Sequence, residues 1–321
     1  MTRRWQLVLV VATSLAALLG LAIGAGKFVV AQTTFASTVQ STEDSRALPD
    51  GTEPDAVDDS QRADDGEAAE APDDVAALAA RTALPGRQAA LTAALAAFAA
   101  TDQAEFALAV VDHRSGLSYS FNADEAFPTA SVVQVDILAA LLLRAQDDGR
   151  GLTGTEQNLA DIMIRESDND AASTLWWMIG GADGLAASDA RLGLTETTPG
   201  GGGYWGLTTT TVADRVRLLD TITDPQGPLA PSREYLLDLM SRVVAGQAWG
   251  VSAGAGPEES VALKNGWVDD DTGLWIINTT GRITGPDVDL TVAVLSDHQP
   301  GYAAGVAAVE QVVGLVRSTM T

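Results

Sequence analysis

Phe127-Pro128-Thr129-Ala130-Ser131-Val132-Val133-Gln134-Val135-Asp136-Ile137-Leu138-Ala139-Ala140-Leu141-Leu142-Leu143 reads as a buried helix with a serine at its head. A serine in the first turn of such a helix has its hydroxyl in the positive field of the helix N-terminus, where a developing oxyanion is stabilised. Gln134, one turn later, falls on the same face and within side-chain reach. Such i, i+3 spacing is how a nucleophilic serine meets its base in an S-x-x-K site. Here the fourth residue is an amide, which takes no proton at ordinary pH.

Outward from this stretch, the flanks read as strands and helices in blocks. Ala76–Arg81 and Gln88–Ala100 have helical spacing, with Pro85-Gly86 as the turn between them. Glu105–His113 and Leu117–Asn122 read as a strand hairpin, followed by the Ser131 helix. From about 155 to 245 the pattern is helical: Leu159–Glu166 closes one helix, and Asn169–Ile179, Val212–Thr221 and Ser232–Val244 follow. Val261–Trp267, Gly273–Gly281 and Val288–Leu295 return to strands, and Ala303–Arg317 closes the chain as an amphipathic helix. The blocks predict an α+β fold: a five-stranded antiparallel sheet flanked by helices in three layers, with an all-helical lobe inserted at about 130–255.

The N-terminus has its own grammar. Arg3-Arg4 precede an apolar run from Leu7 to Gly26, which predicts a signal peptide or membrane anchor over 1–31 and an extracytoplasmic protein, secreted or membrane-held. Residues 43–75 hold 13 acids against Arg46 and Arg62. With almost no large apolar side chains there, residues 32–75 are expected to form an acidic, disordered linker, ahead of one domain over 76–321. The overall charge of −24 argues against nucleic-acid binding. The chain has no cysteine and two histidines, His113 and His298, so no thiol nucleophile is available and no metal site is expected. No cofactor is implied, and a monomer is expected.

Three motifs in order tie the blocks together: Ser131-Val132-Val133-Gln134, Ser167-Asp168-Asn169 and Lys264-Asn265-Gly266. The chain has two lysines against seventeen arginines, and Lys264 is the one outside the export segment. A composition that writes nearly every cation as arginine has kept a compact ammonium at this point. Layout and motifs resemble the serine β-lactamase and penicillin-binding superfamily, closest to its class A branch, over roughly residues 80–318. The middle motif matches S-D-N in full, whereas the first departs from S-x-x-K and the third from K-T-G.

The resemblance implies roles. Ser131 would be the acyl-accepting nucleophile, with the backbone N–H groups of Ser131 and Trp267 as oxyanion hole. Ser167, beside Lys264, would relay a proton to the leaving nitrogen. Lys264 and Asn265, with Gly266 in the same motif, would hold a substrate carboxylate, and Asn169 the substrate's amide side chain. Gln134 occupies the degenerate general-base position. The loop before Thr208 has Glu196 as its only carboxylate and no motif to fix it. Two readings stay open, beside a purely structural envelope protein. One is an exported serine hydrolase acting on β-lactam, peptide or other amide and ester substrates, slow or impaired for want of the lysine. The other is a catalytically inactive module recognising peptidoglycan peptides or a protein partner.

Overall fold

The computed structural model describes residues 72–101 and 105–320, with side chains from residue 85 onward. The expected export segment and nearly all of the acidic linker lie outside the described residues. Helix α1 (Pro72–Ala99) leads into the hairpin β1 (Glu105–Asp112) and β2 (Leu117–Phe121). Two residues of strand, β3 (Phe127–Pro128), precede α2 (Gln134–Asp147), α3 (Gly154–Glu166), α4 (Asn169–Ile179) and α5 (Gly181–Leu192). After β4 (Thr209–Thr210) come α6 (Val212–Thr223) and α7 (Arg233–Ser241). The chain then returns to the sheet through β5 (Ser260–Asp269), β6 (Trp275–Thr284) and β7 (Asp289–Asp297), and ends in α8 (Tyr302–Met320).

The five long strands form one antiparallel sheet in the order β2-β1-β7-β6-β5. Its strands alternate sides with a period of two, so each face needs its own cover. One face packs Leu108, Val292 and Val294 against Leu91 and Leu95 of α1 and Val309, Val312 and Val316 of α8. The other packs Ala107, Ala109, Ala293 and Leu295 against Val132 and against Val212 and Val216 of α6. The inserted lobe has a separate apolar core, built around Ile137, Leu141, Met163, Leu175 and Trp176. These are the three layers and the inserted helical lobe of the α+β expectation.

One local reading is corrected. Pro85-Gly86 is no turn, because α1 runs through Pro85 unbroken. A proline removes one helical hydrogen bond, and the tertiary grip on the following turns offsets it: Leu91 and Leu95 are fully buried and Arg87 donates to the Met320 carbonyl. At Gly180-Gly181 α4 ends as expected and a further helix, α5, begins at once. Both residues have positive φ, +102° and +65°, and they turn the chain directly into α5. Gly184 is needed there, since a Cβ on it would lie 1.9 Å from the Ile179 carbonyl oxygen.

The lobe's closed interior also holds charge. Arg215 of α6 and Asp136 of α2, both fully buried, form a two-pronged ion pair with contacts of 2.5 and 2.7 Å. Arg215 also donates to Thr210 and Thr197, while Asp214 accepts from the Glu196 N–H, the Thr197 hydroxyl and Arg217. This knot fastens the 194–211 segment to α2 and α6. Asp189 of α5, almost completely buried, has no hydrogen-bond partner on either carboxylate oxygen among the described residues.

Candidate active site

The segment bearing Ser131 is tied from three sides. Phe127 and Pro128 pair with Thr210 and Thr209, and the Thr129 N–H donates to the Thr208 carbonyl. Ala130 then takes φ +45°, a left-handed conformation rare for a residue with a Cβ. From it the chain enters a tight helical turn, Ala130–Val133, that runs straight into α2. Beneath this turn lies β5. A Cβ on Gly266 would come within 2.7 Å of the Ser131 nitrogen, the Thr129 oxygen and the Val132 nitrogen. Only glycine lets the strand approach the Ser131 backbone so closely, which gives a physical reason for the glycine of Lys264-Asn265-Gly266.

Lys264 precedes Gly266 by two, so its side chain shares that face of the strand. It is fully buried, and its ammonium donates to the Ser167 hydroxyl at 3.0 Å and to the Asn265 carbonyl at 2.8 Å. Burial without a carboxylate partner pulls its pKa down to about 7. A free amine is therefore accessible at this point near neutrality.

Ser167 reaches it because the residue ends α3 at φ +59°, ψ +37°, and Asp168 at once caps α4 by accepting from the Ala171 N–H at 2.7 Å. Asp168 therefore has the ordinary capping role, while the Ser167 hydroxyl bridges inward. It donates to the Gln134 side-chain oxygen at 3.4 Å. Gln134 is fully buried, and its Nε2 has no partner among the described residues.

The structure thus brings Gln134, Ser167 and Lys264 into one chain of polar contacts and sets Ser131 and Gly266 backbone to backbone. Other candidates sit apart from that chain. Asn169 is exposed at the first position of α4. The Asn265 side chain turns into the wall, where its Nδ2 donates to the carbonyls of Gln247 and Trp249. The Trp267 ring packs tilted against Trp249 and edge-on against Tyr302, with centroids 6.0 and 5.9 Å away. Glu196 is exposed and accepts from the Thr211 hydroxyl at 2.9 Å, which makes it a brace of its own loop.

Two residues that sequence motifs do not reveal support these parts. Gln247 donates to the Glu166 carbonyl and steadies the end of α3. Asn278 of β6 hydrogen-bonds the carbonyls of Pro128 and Thr129. A polar residue in the apolar strand Trp275-Ile276-Ile277-Asn278 was the available signal. Among the described residues, no group of three or more His, Asp or Glu side chains could hold a metal ion.

Known proteins agree with this architecture. The chain is 29% identical over 222 residues to the protein named "Putative lipoprotein LppW" of Mycobacterium tuberculosis, covering 67% of this chain and 70% of that protein. Among solved structures, the class A β-lactamase from Mycobacterium abscessus superposes with a TM-score of 0.62 at 21% identity, covering 70% of this chain and 97% of that one. A variant of PBP-A, solved as an acyl-enzyme complex with penicillin-G, gives 0.61 at 24% identity, over 72% and 94% of the respective chains. The TLA-1 extended-spectrum β-lactamase gives 0.66 at 16%, over 73% and 99%. At these identities the superpositions speak for the fold. Residues 147–319, more than half of the chain, match the model of the β-lactamase enzyme family, and the chain belongs to that family.

Proposed function

We propose that the protein is an exported acyl-accepting serine enzyme that reacts slowly with β-lactams and with peptidoglycan-like peptides. The observation that carries this reading is Lys264, buried, with its pKa drawn down to about 7 and its nitrogen 3.0 Å from the Ser167 hydroxyl. In the unprotonated state this amine is a base matched to neutral pH, and Ser167 links it toward Gln134 and the head of α2. The Ser131 oxygen attacks the lactam carbonyl carbon, forming an ester. Its proton passes through Ser167 to Lys264, and then to the lactam nitrogen as the C–N bond breaks. The N–H groups of Ser131 and Trp267 receive the oxyanion. Exposed Asn169 is free to contact the substrate's amide.

Hydrolysis of the ester is the weak half. Glu196, the carboxylate of its loop, is engaged by Thr211, so the acyl-enzyme accumulates. PBP-A, similar in fold, was trapped as such an adduct with penicillin-G. A silent module for peptidoglycan peptides or a protein partner is the second reading, favoured by Gln134 alone.

Fluorescent penicillin decides between them. The full-length protein is expected to take up the label covalently, and Ser131→Ala to take up none. Because the base must be free amine, the labelling rate rises with pH, with a midpoint near 7, the value to which burial draws Lys264. An unlabelled wild type, or label surviving Ser131→Ala, rejects the enzyme reading.

Residues 1–31 would place the domain outside the cytoplasm. No helix among the described residues is long and apolar enough to cross a membrane. The mycobacterial relative is named a lipoprotein, yet this chain has no cysteine to carry a thioether- or thioester-linked lipid. Attachment, where it occurs, would use the apolar N-terminal segment itself.

A further inference from the structure

We infer that Asn278 is a positioning residue for acyl transfer at Ser131, an inference that rests on the reading of Ser131 as nucleophile. Asn278 lies on β6 directly opposite Gly266, and it is fully buried. Its Nδ2 donates to the Pro128 carbonyl at 2.8 Å and to the Thr129 carbonyl at 3.1 Å, and its Oδ1 accepts from the Ser296 N–H of β7 at 2.9 Å. All three partners are backbone groups of fixed polarity, so they dictate which way the amide points. An amide supplies two N–H donors and an acceptor from one short side chain. Serine, aspartate or leucine cannot.

What the amide fixes is the backbone immediately before the nucleophile. Thr129 is followed by Ala130 in its left-handed conformation, and the Thr129 carbonyl also receives the Val132 N–H at 3.2 Å, closing the turn that contains Ser131. A left-handed alanine persists only where its surroundings over-determine it. Asn278 pulls the two carbonyls ahead of that residue toward the sheet, while glycine 266 leaves room for Ser131 and Val132 to settle on β5. The Ser131 N–H and the β5 backbone therefore keep their spacing because β6 holds both: one strand pairs with β5, and the same residue grips the serine turn. The amide touches neither substrate nor reacting atoms. It sets the distance between nucleophile and oxyanion donors.

Misplacement of reacting groups by about 1 Å costs on the order of 10²-fold in rate. Asn278→Ala is expected to slow the first-order acylation step with penicillin by about that factor, with pre-equilibrium binding changed less than about threefold. Asn278→Asp, which keeps the volume and the acceptor for Ser296 but not the paired donors, is expected to behave alike. Ile283→Ala, a core deletion elsewhere on β6, controls for general weakening: it lowers the melting temperature and leaves the acylation rate near wild type. Hydrogen exchange gives a readout that needs no chemistry, with the Val132 amide losing protection in both Asn278 variants and keeping it in Ile283→Ala. A rate loss in the Asn278 variants no greater than in Ile283→Ala, or an unchanged Val132 amide, overturns the inference. Absence of labelling in the wild type would instead reject the nucleophile, and the exchange measurement would still decide Asn278.

Discussion

Gln134→Lys is expected to raise the rate of Ser131 acylation by about 10²–10⁴-fold, the range that a positioned general base contributes. The site is prepared for it. Position 134 is fully buried one turn after Ser131, and its side-chain oxygen stands 3.4 Å from the Ser167 hydroxyl, which is itself 3.0 Å from the Lys264 nitrogen. An ammonium at 134 would therefore lie within a few ångströms of Lys264, with no acid among the described residues in hydrogen-bond contact with either position. Like charges so close in a buried site do not both persist, and the pair titrates as a unit. Near pH 7 one of the two amines is free, and the one at 134 sits nearer the nucleophile along the helix. The pH profile should broaden into two steps, and the second-order constant for penicillin acylation gives the gain directly. Turnover should stay low, because the substitution supplies no carboxylate for ester hydrolysis. A variant that folds and reacts no faster than wild type would mean that pocket shape, and not the missing base, limits the reaction.

The candidate positions were legible because they are local patterns. Serine at a helix head, serine before a capping aspartate, and the domain's single lysine ahead of a glycine on a strand each announce themselves within three or four residues. The sheet was legible too, since Leu117-Ser-Tyr-Ser-Phe121 alternates and Leu290 to Leu295 form a short apolar run. What stayed hidden depends on contacts between segments distant in sequence. Pro85 reads as a breaker until α8 and the core are present to hold the helix around it. Asn265 looks like a substrate ligand until Gln247 and Trp249, nearly twenty residues upstream, present their carbonyls. Asn278 acts on a turn about 150 residues away, and a lone asparagine in a strand has no local signature. Asp189 and Arg215 carry no periodic signal distinguishing them from surface charges, and both are buried.

The buried Arg215–Asp136 ion pair supports the second large expectation. Arg215→Met should destabilise the protein by about 3–5 kcal/mol, the cost of removing one partner of a buried ion pair. The arginine is the cation that answers Asp136, and Asp189 and Asp214 lie close enough to act on it electrostatically. Methionine fills much of the volume but leaves Asp136 uncompensated and releases Thr210 and Thr197, which anchor the loop before α6. Urea unfolding should show the loss as a lowered midpoint at similar slope. Asp189→Asn should move the opposite way, and with pH. Burial, reinforced by the charge of Asp136, raises the Asp189 carboxyl from 3.8 to about 8. Between those values the folded state keeps a proton that the unfolded chain has released, so wild-type stability falls as pH rises through that window. Asparagine is permanently uncharged and has no such slope. Its advantage should be small near pH 4, grow toward pH 8 and level off above it. Equal stability of the two proteins at pH 5 and pH 8.5 would show that Asp189 does not titrate in the folded protein as its burial requires.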